Sequence, residues 1–172
     1  MTSLLHGCRP ALGVGLPAAA SALLLDQVTK VWVLTALWPP HVPHPVTPFL
    51  NLRLGFNTGV SFGMFAGGPA ASPWVLSAVC AAIATGLLVW MWRSRSRREA
   101  TALGLVTGGA VGNIADRVRQ GAVTDFLDLH VSGYHWPTFN LADTAIVFGV
   151  ALLVLVRGRG EAVQAPGSVP HP

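Results

Sequence analysis

Charged residues are scarce in this 172-residue sequence: Asp, Glu, Lys and Arg make up 10% of it, against 52% hydrophobic residues. Soluble domains usually carry about 25% charged residues. The shortage excludes an ordinary soluble domain and indicates a membrane protein. The net charge of +4 does not indicate a nucleic-acid partner, because the bases lie beside apolar segments, where membrane topology accounts for them.

Cysteine is also scarce. Cys8 and Cys80 are the two cysteines and no CxxC pair occurs, so neither a disulfide framework nor a cysteine metal site is expected. The pair His41-x-x-His44 lies in a proline-rich run rather than on a helix, which argues against zinc. The sequence also lacks a Gly-x-Ser-x-Gly elbow, a Ser-x-x-Lys pair and a phosphate-binding loop. We therefore expect no metal and no cofactor.

Long apolar runs are abundant. At a rise of about 1.5 Å per residue, a run of about 20 residues crosses a bilayer. We predict a single domain over residues 1–157, followed by a disordered tail over 158–172. The first run could instead be a cleaved signal peptide, but apolar sequence resumes after Lys30, which favours a membrane helix. The four predicted membrane helices cover about residues 12–38, 74–92, 100–118 and 141–156.

Arginine placement predicts the orientation. Four arginines follow the second span, between residues 93 and 98, and short Arg-rich loops stay in the cytoplasm. Both termini are then cytoplasmic, and two outer loops, 39–73 and 119–140, lie outside. Residues 50–56 and 123–131 alternate in polarity with the period of a strand. Residues 61–65 are expected to form a short interfacial piece.

Two acids of the outer side suggest chemistry. Asp125 lies in the second strand-like run, and Asp143 lies at the start of the fourth span. Two carboxylates in one site of low dielectric do not both ionise easily, so one can act as an acid while the other acts as a base toward water. The plainer interpretations are that Asp125 is a surface loop acid and that Asp143 caps its helix with Asn140 as the N-cap.

Other polar residues lie inside apolar segments. Asp26 and Lys30 are four residues apart, so they share a helix face and can pair. They are either a buried structural ion pair or ligands for a polar substrate group. Asn113, Asp116 and Arg117 project from one face of the third span. They either cap that helix and pair with each other or orient the loops that carry the two acids, and we expect the second, supporting role. Gly108 and Gly112 have the spacing that lets helices approach closely.

The chain contains five motifs in this order: Asp26-Gln27-Val28-Thr29-Lys30, Asn57-Thr58-Gly59-Val60-Ser61-Phe62, Gly108-Gly109-Ala110-Val111-Gly112-Asn113-Ile114-Ala115-Asp116-Arg117, Val123-Thr124-Asp125-Phe126 and Phe139-Asn140-Leu141-Ala142-Asp143. Together they resemble the lipoprotein signal peptidase family (signal peptidase II). The resemblance covers about residues 20–157, and one small departure is Val60-Ser61, where alanines are common in the family.

The resemblance implies an α-helical inner-membrane aspartic endopeptidase with four transmembrane helices, a small extracytoplasmic β-cradle and a short helix on the membrane surface. The family removes the signal peptide of bacterial prolipoproteins, cutting before a cysteine that bears a diacylglyceryl group. Asp125 and Asp143 match the catalytic pair. We expect a monomer whose partners are the lipid-modified substrate and membrane lipids. The positions that match the polar surround or the first-helix motif are Asp26, Lys30, Asn57, Gly59, Asn113, Arg117 and Asn140.

A different class would be a proton-coupled carrier or a subunit of a membrane complex, because buried acids and a lysine also suit proton relays. Carriers usually show internal repeats, and this sequence has none. Asp116, Asp125 and Asp143 are also predicted at one membrane boundary rather than at its middle. Both observations favour the peptidase.

Overall fold

The computed structural model describes residues 11–59 and 72–163, with the side chains of 159–163 left aside. The predicted interfacial piece at 61–65 and residues 164–172 of the predicted tail lie outside this range. Four helices and four strands follow in the order α1 (Leu12–Ala36), β1 (His44–Thr47), β2 (Leu50–Asn57), α2 (Pro73–Arg93), α3 (Arg97–Gln120), β3 (Val123–Val131), β4 (Tyr134–His135) and α4 (Leu141–Val163).

Three helices in the described part of the chain are long and apolar enough to cross a membrane: α1, α2 and the Leu141–Gly158 part of α4. Large apolar side chains on all three are exposed, among them Leu24, Ile83 and Phe148. A soluble protein rarely exposes such extended apolar surface, so these faces fit a lipid environment. The prediction of a helical membrane protein agrees with this architecture.

The third predicted span, α3, is long enough at 24 residues but not among the apolar helices. It carries six charged residues as well as Asn113. Its polar side chains are tolerated because α3 packs against α1, α2 and α4, so that its buried face meets protein. It ends at Gly121, whose φ of 78° is the left-handed conformation that glycine adopts at a helix end.

Glycines let the helices approach α3 closely, as the small-residue spacing predicted. A methyl group added at Gly108 would overlap the Ala19 backbone of α1. One added at Gly112 would lie 2.5 Å from Asp26 Oδ2. The glycines therefore set the distance at which polar groups of α1 and α3 meet.

The four strands form one antiparallel sheet in the order β1-β2-β3-β4. The central pair aligns Gly55 with Asp125 across β2 and β3, with an irregularity between Leu52 and Gly55. Val33 of α1, Leu54 of β2 and Phe126 of β3 share a buried cluster. This cluster fixes the sheet on the end of α1, where β3 leads on to α4.

The end of α4 differs from the sequence prediction. The predicted span stops at residue 156, but the helix continues to Val163, so the first six residues of the predicted tail are helical. Gly158 lowers helix stability by only about 1 kcal/mol relative to alanine, which does not by itself end a helix. Arg157 also pairs with Glu99 of α3 at 3.1 Å, which ties this end of α4 to the bundle.

Replacing Gly108 by alanine should lower the thermal stability of the protein in detergent, because the added methyl group meets the Ala19 backbone, which has no flexible end to move. Overpacking of this kind costs about 1–3 kcal/mol. The matched control is Gly86→Ala on α2, where an added methyl group meets nothing within 4 Å. Equal melting temperatures for the two variants would contradict the close packing of α1 on α3.

Candidate active site

One side chain joins the two acids that the sequence singled out. Asn140 Nδ2 donates to Asp125 Oδ1 at 2.7 Å, and Asn140 Oδ1 accepts from the Asp143 backbone N–H at 2.9 Å. In return, the Asn140 N–H donates to Asp143 Oδ2 at 3.3 Å. This reciprocal arrangement is a capping box at the start of α4. The capping interpretation of Asp143 is therefore confirmed, and it also holds Asp143 beside the residue that contacts Asp125.

Asp125 is not a surface acid. It lies on β3 and is only 2% exposed. The interpretation of Asp125 as an exposed loop residue is therefore wrong. The run Val123–Val131 forms the strand that its alternation predicted, and the N-terminal half of that strand is buried.

Asn113 on α3 fixes the other side of Asp143. Its Nδ2 donates to Asp143 Oδ1 at 2.8 Å, and its Oδ1 accepts from Lys30 Nζ at 3.0 Å. The Lys30 ammonium thereby orients the Asn113 amide, since only the carbonyl end can face a cation. The amide nitrogen must then point at Asp143.

Lys30 is also the centre of a buried ion cluster. Its Nζ lies 2.8 Å from Asp26 Oδ2 and 2.9 Å from Asp116 Oδ2, and all three side chains are fully buried. Asp26 Oδ1 accepts from the Ala142 N–H at the start of α4, at 2.9 Å. Asp116 Oδ2 accepts from the Thr124 N–H of β3, at 3.1 Å. The structural interpretation of the Asp26–Lys30 pair is the one that this geometry supports.

A second set of contacts links Arg117, Gly59 and Asn57. Arg117 donates through NH2 to the Gly59 carbonyl at 2.9 Å, and the Gly59 N–H donates to Asn57 Oδ1 at 3.0 Å. Arg117 Nε is buried without a hydrogen-bond partner among the described residues. The end of β2 is thus held against α3 on the side where Asp125 lies.

The pKa of Asp125 is raised to about 7, first because burial disfavours its charged form and second because Asp143 places a like charge nearby. Hydrogen bonds of the Asn140 and Asn57 side chains and the charge of Lys30 offset part of this rise. Asp125 can therefore hold a proton closer to neutral pH than an ordinary aspartate does. That property suits a group that takes up and releases a proton.

Two cavities meet at this site. One has a volume of about 420 Å³ and is lined by Asp125 and by residues of β2. The other, of about 550 Å³, is lined by Asp143 and by mostly apolar side chains such as Trp136 and Phe148. Pro137 and Thr138 line both cavities. The site can therefore accept a molecule that is polar on one side and apolar on the other.

Sequence reasoning missed a polar cluster around Asp128. Asp128 is fully buried, accepts from Asn51 Nδ2 at 3.2 Å, and lies 2.7 Å from His135 Nδ1. Burial alone would raise the pKa of Asp128, but hydrogen bonds from His135 and Asn51 outweigh it and hold that pKa below the ordinary value. These partners lie far apart in sequence, so no local spacing indicated the cluster.

Gln27 was also not singled out as a site residue. Its Nε2 donates to Asp26 Oδ2 at 3.1 Å and to Asp116 Oδ1 at 3.2 Å. Its place beside Asp26 in the first motif was the available signal. In the described part of the chain, no three His, Cys, Asp or Glu side chains are arranged to hold a metal ion.

A family model described as signal peptidase (SPase) II matches residues 18–157. This chain belongs to the signal peptidase II family. The resemblance drawn from the five motifs is therefore confirmed. Membership makes the chain a hydrolase and a protease, and its apolar helices are consistent with a membrane protein.

Curated relatives agree over most of their length. The lipoprotein signal peptidase of Methylobacterium sp. (strain 4-46) is 43% identical over 158 residues, covering 89% of this chain and 96% of the relative. That of Rhizorhabdus wittichii is 44% identical over 147 residues, covering 83% and 84%. A solved structure described as a bacterial membrane enzyme superposes with a TM-score of 0.79 at 27% identity, covering 92% of this chain and 95% of the other.

Replacing Lys30 by methionine should strongly destabilise the protein, because Asp26 would keep its buried charge without a counterion and Asp116 would keep only the partly exposed Arg119. Breaking one side of a buried ion pair costs about 3–5 kcal/mol. The control is Arg119→Met, which removes the other cation of Asp116, a side chain that is 48% exposed. Partly exposed pairs contribute about 1 kcal/mol or less. Thermal unfolding in detergent measures the stability of both variants. Similar losses of stability in the two would contradict the conclusion that Lys30 is the main counterion of the buried cluster.

Proposed function

We propose that this chain removes signal peptides from diacylglyceryl-modified bacterial prolipoproteins, cutting before the lipidated cysteine as an aspartic endopeptidase. The observation that carries the proposal is the contact of Asn140 with both acids, Asp125 and Asp143, at the start of α4. The names of the relatives support the substrate. The pair of buried carboxylates supports the aspartic class, since one can hold a proton while the other does not.

In the proposed reaction, a water molecule between Asp125 and Asp143 attacks the scissile carbonyl carbon. The ionised carboxylate takes a proton from the water, and the protonated carboxyl gives its proton to the carbonyl oxygen. When the tetrahedral intermediate collapses, the C–N bond breaks and the leaving nitrogen receives the proton that was taken from the water. The other carboxylate takes back a proton from a hydroxyl of the intermediate, which restores the starting state of the pair. Asp125, with a pKa of about 7, is suited to hold the initial proton, although two coupled carboxyls titrate as a pair.

The remaining site residues support this reaction without bond making. Asn113 and Asn140 fix the carboxylates by hydrogen bonds. Lys30, with Asp26 and Asp116, fixes Asn113 and the start of α4. Arg117, through Gly59 and Asn57, holds the end of β2, and the backbone there can bind an extended peptide.

We propose four membrane spans: the three apolar helices and, in addition, α3. Its polar residues face the other helices, so α3 can cross a bilayer without exposing them to lipid. The α2–α3 junction carries Arg93, Arg95, Arg97 and Arg98, which supports placing this end of the helix bundle on the cytoplasmic side of the bacterial inner membrane. Both termini are then cytoplasmic and the site lies at the outer boundary.

The carrier alternative receives less support. A proton relay across a membrane needs acids spread along its depth. Here Asp116, Asp125 and Asp143 lie together at the sheet end of the bundle, and Glu99 at the opposite end pairs with Arg157. Lys30 is fully buried between two carboxylates, which suits a structural role.

Replacing either Asp125 or Asp143 by asparagine should abolish cleavage, because an amide keeps the shape but cannot transfer the proton. General acid–base catalysis contributes about 10²–10⁴-fold in rate. The assay is cleavage of a diacylglyceryl-modified prolipoprotein by purified protein in detergent. Asp128→Asn is the matched control, a buried carboxylate on the same strand that contacts His135 and Asn51 instead. Near-normal cleavage by either dyad variant would exclude the aspartic mechanism and reopen the carrier alternative.

The cleavage rate should fall as the pH rises through about 7, because Asp125 then loses the proton that the reaction needs. The sign follows from the raised pKa: the protonated form is present below about 7 and is lost above it. The measurement is kcat/KM between pH 5 and pH 9, with circular dichroism at each pH to verify folding. A rate that rises steadily from pH 6 to pH 8 would contradict Asp125 as the acid.

A further inference from the structure

Arg53 is a cation that forms no close ion pair with any acid of the described residues. It lies on β2, is half-buried, and lines the 420 Å³ cavity that Asp125 also lines. No hydrogen bond or ion pair joins its side chain to any described residue, and its one electrostatic relation is a longer-range attraction to Asp128. Asp128 is already engaged by His135 and Asn51.

The chain itself has no spare acid for Arg53. Of its seven acids, Asp26 and Asp116 pair with Lys30, Glu99 pairs with Arg157, and Asp128 pairs with His135. Asp125 and Asp143 form the proposed catalytic pair. Glu161 lies 20 residues beyond the start of α4, about 30 Å away along the helix. Residues 1–10, 60–71 and 164–172 contain no acid.

The cavity around Arg53 is suited to a polar peptide. Its wall includes the end of β2 from Gly55 to Asn57, the following Thr58 and Gly59, and His41. His41 is held there by a backbone hydrogen bond to the Leu54 carbonyl at 2.8 Å, despite a φ of 68° that non-glycine residues rarely adopt. Asp125 is the one acid that lines the cavity within the described residues.

The two cavities differ in polarity, and each suits a different part of a lipoprotein substrate. The mainly apolar cavity beside Asp143 suits the membrane-embedded parts of a substrate. The cavity beside Asp125, with Arg53 and His41, suits the polar chain that follows the cleavage site on the outer side. An arginine there favours a carboxylate, because the planar guanidinium donates two parallel hydrogen bonds to it.

We infer that Arg53 is a specificity residue that binds an acidic side chain of the substrate, within the first few residues after the lipidated cysteine. This inference rests on the proposed function and adds to it a preference for substrates with an acidic residue near the cleavage site. Substrates with an aspartate at the contacted position are cleaved faster than those with asparagine, and those with lysine are cleaved slowest.

The test uses prolipoproteins that differ at one of the first three positions after the cysteine, carrying Asp, Asn or Lys. Wild-type protein should show about a tenfold span in kcat/KM between Asp and Lys at one position, in line with hydrogen bonds to a charged group. Arg53→Gln should remove that span, and Arg53→Lys should keep part of it. Added salt should shrink it, because the cavity is open to water.

Arg157→Gln is the matched control. It removes the same charge from a side chain that pairs with Glu99 at the other end of α4, and it should keep the wild-type order. The inference is overturned if wild type cleaves all substrates equally, or if the span survives in Arg53→Gln. The first of these results leaves the proposed function intact, since cleavage still occurs. A complete lack of cleavage by wild type overturns both.

A lipid phosphate is the other anion that a membrane offers to Arg53. The same assays in micelles with and without phosphatidylglycerol separate the two sources. A rate that follows the lipid and is indifferent to substrate charge overturns the inference. A charge preference that is the same in both micelles supports it.

Discussion

The structure depends on a lysine that is buried completely. A buried ammonium costs several kcal/mol unless it is paired and hydrogen-bonded, and Lys30 meets this requirement with Asp26, Asp116 and Asn113. Both carboxylates of the cluster also accept backbone N–H groups, one from α4 and one from β3. The two carboxylates that neutralise Lys30 therefore also hold together β3, which carries Asp125, and α4, which carries Asp143.

Close helix packing is the condition for this cluster. Asp26 reaches its partners because Gly112 of α3 has no side chain in the way, and Gly108 admits the α1 backbone one turn earlier. In a membrane, apolar burial gives little net attraction between helices, so packing and polar contacts have to hold them together. The glycines of α3 and the ion cluster therefore both hold α1 against α3: the glycines allow the close approach, and the ion pairs stabilise it.

Local patterns predicted what local chemistry determines. Asn140 and Asp143 have the spacing of a capping box, and the structure confirms it. The strand at 123–131 and the Asp26–Lys30 pair followed in the same way from short spacings. The partner of Asp128 depended instead on the register of β2 against β3, which sets Asn51 opposite Asp128 and is not written in either segment alone.

Low apolar content is a poor guide to whether a helix crosses a membrane when that helix packs against other helices on several sides. By composition α3 is less apolar than its neighbours, yet it packs against all three other helices. Its polar residues are the ones that contact the site: Asn113 holds Asp143, and Arg117 holds Gly59. A central helix that supplies polar groups to a site cannot also be uniformly apolar, so its low apolar content follows from its position. The outer helices, whose large apolar side chains are exposed, keep the apolar composition that makes them recognisable in the sequence.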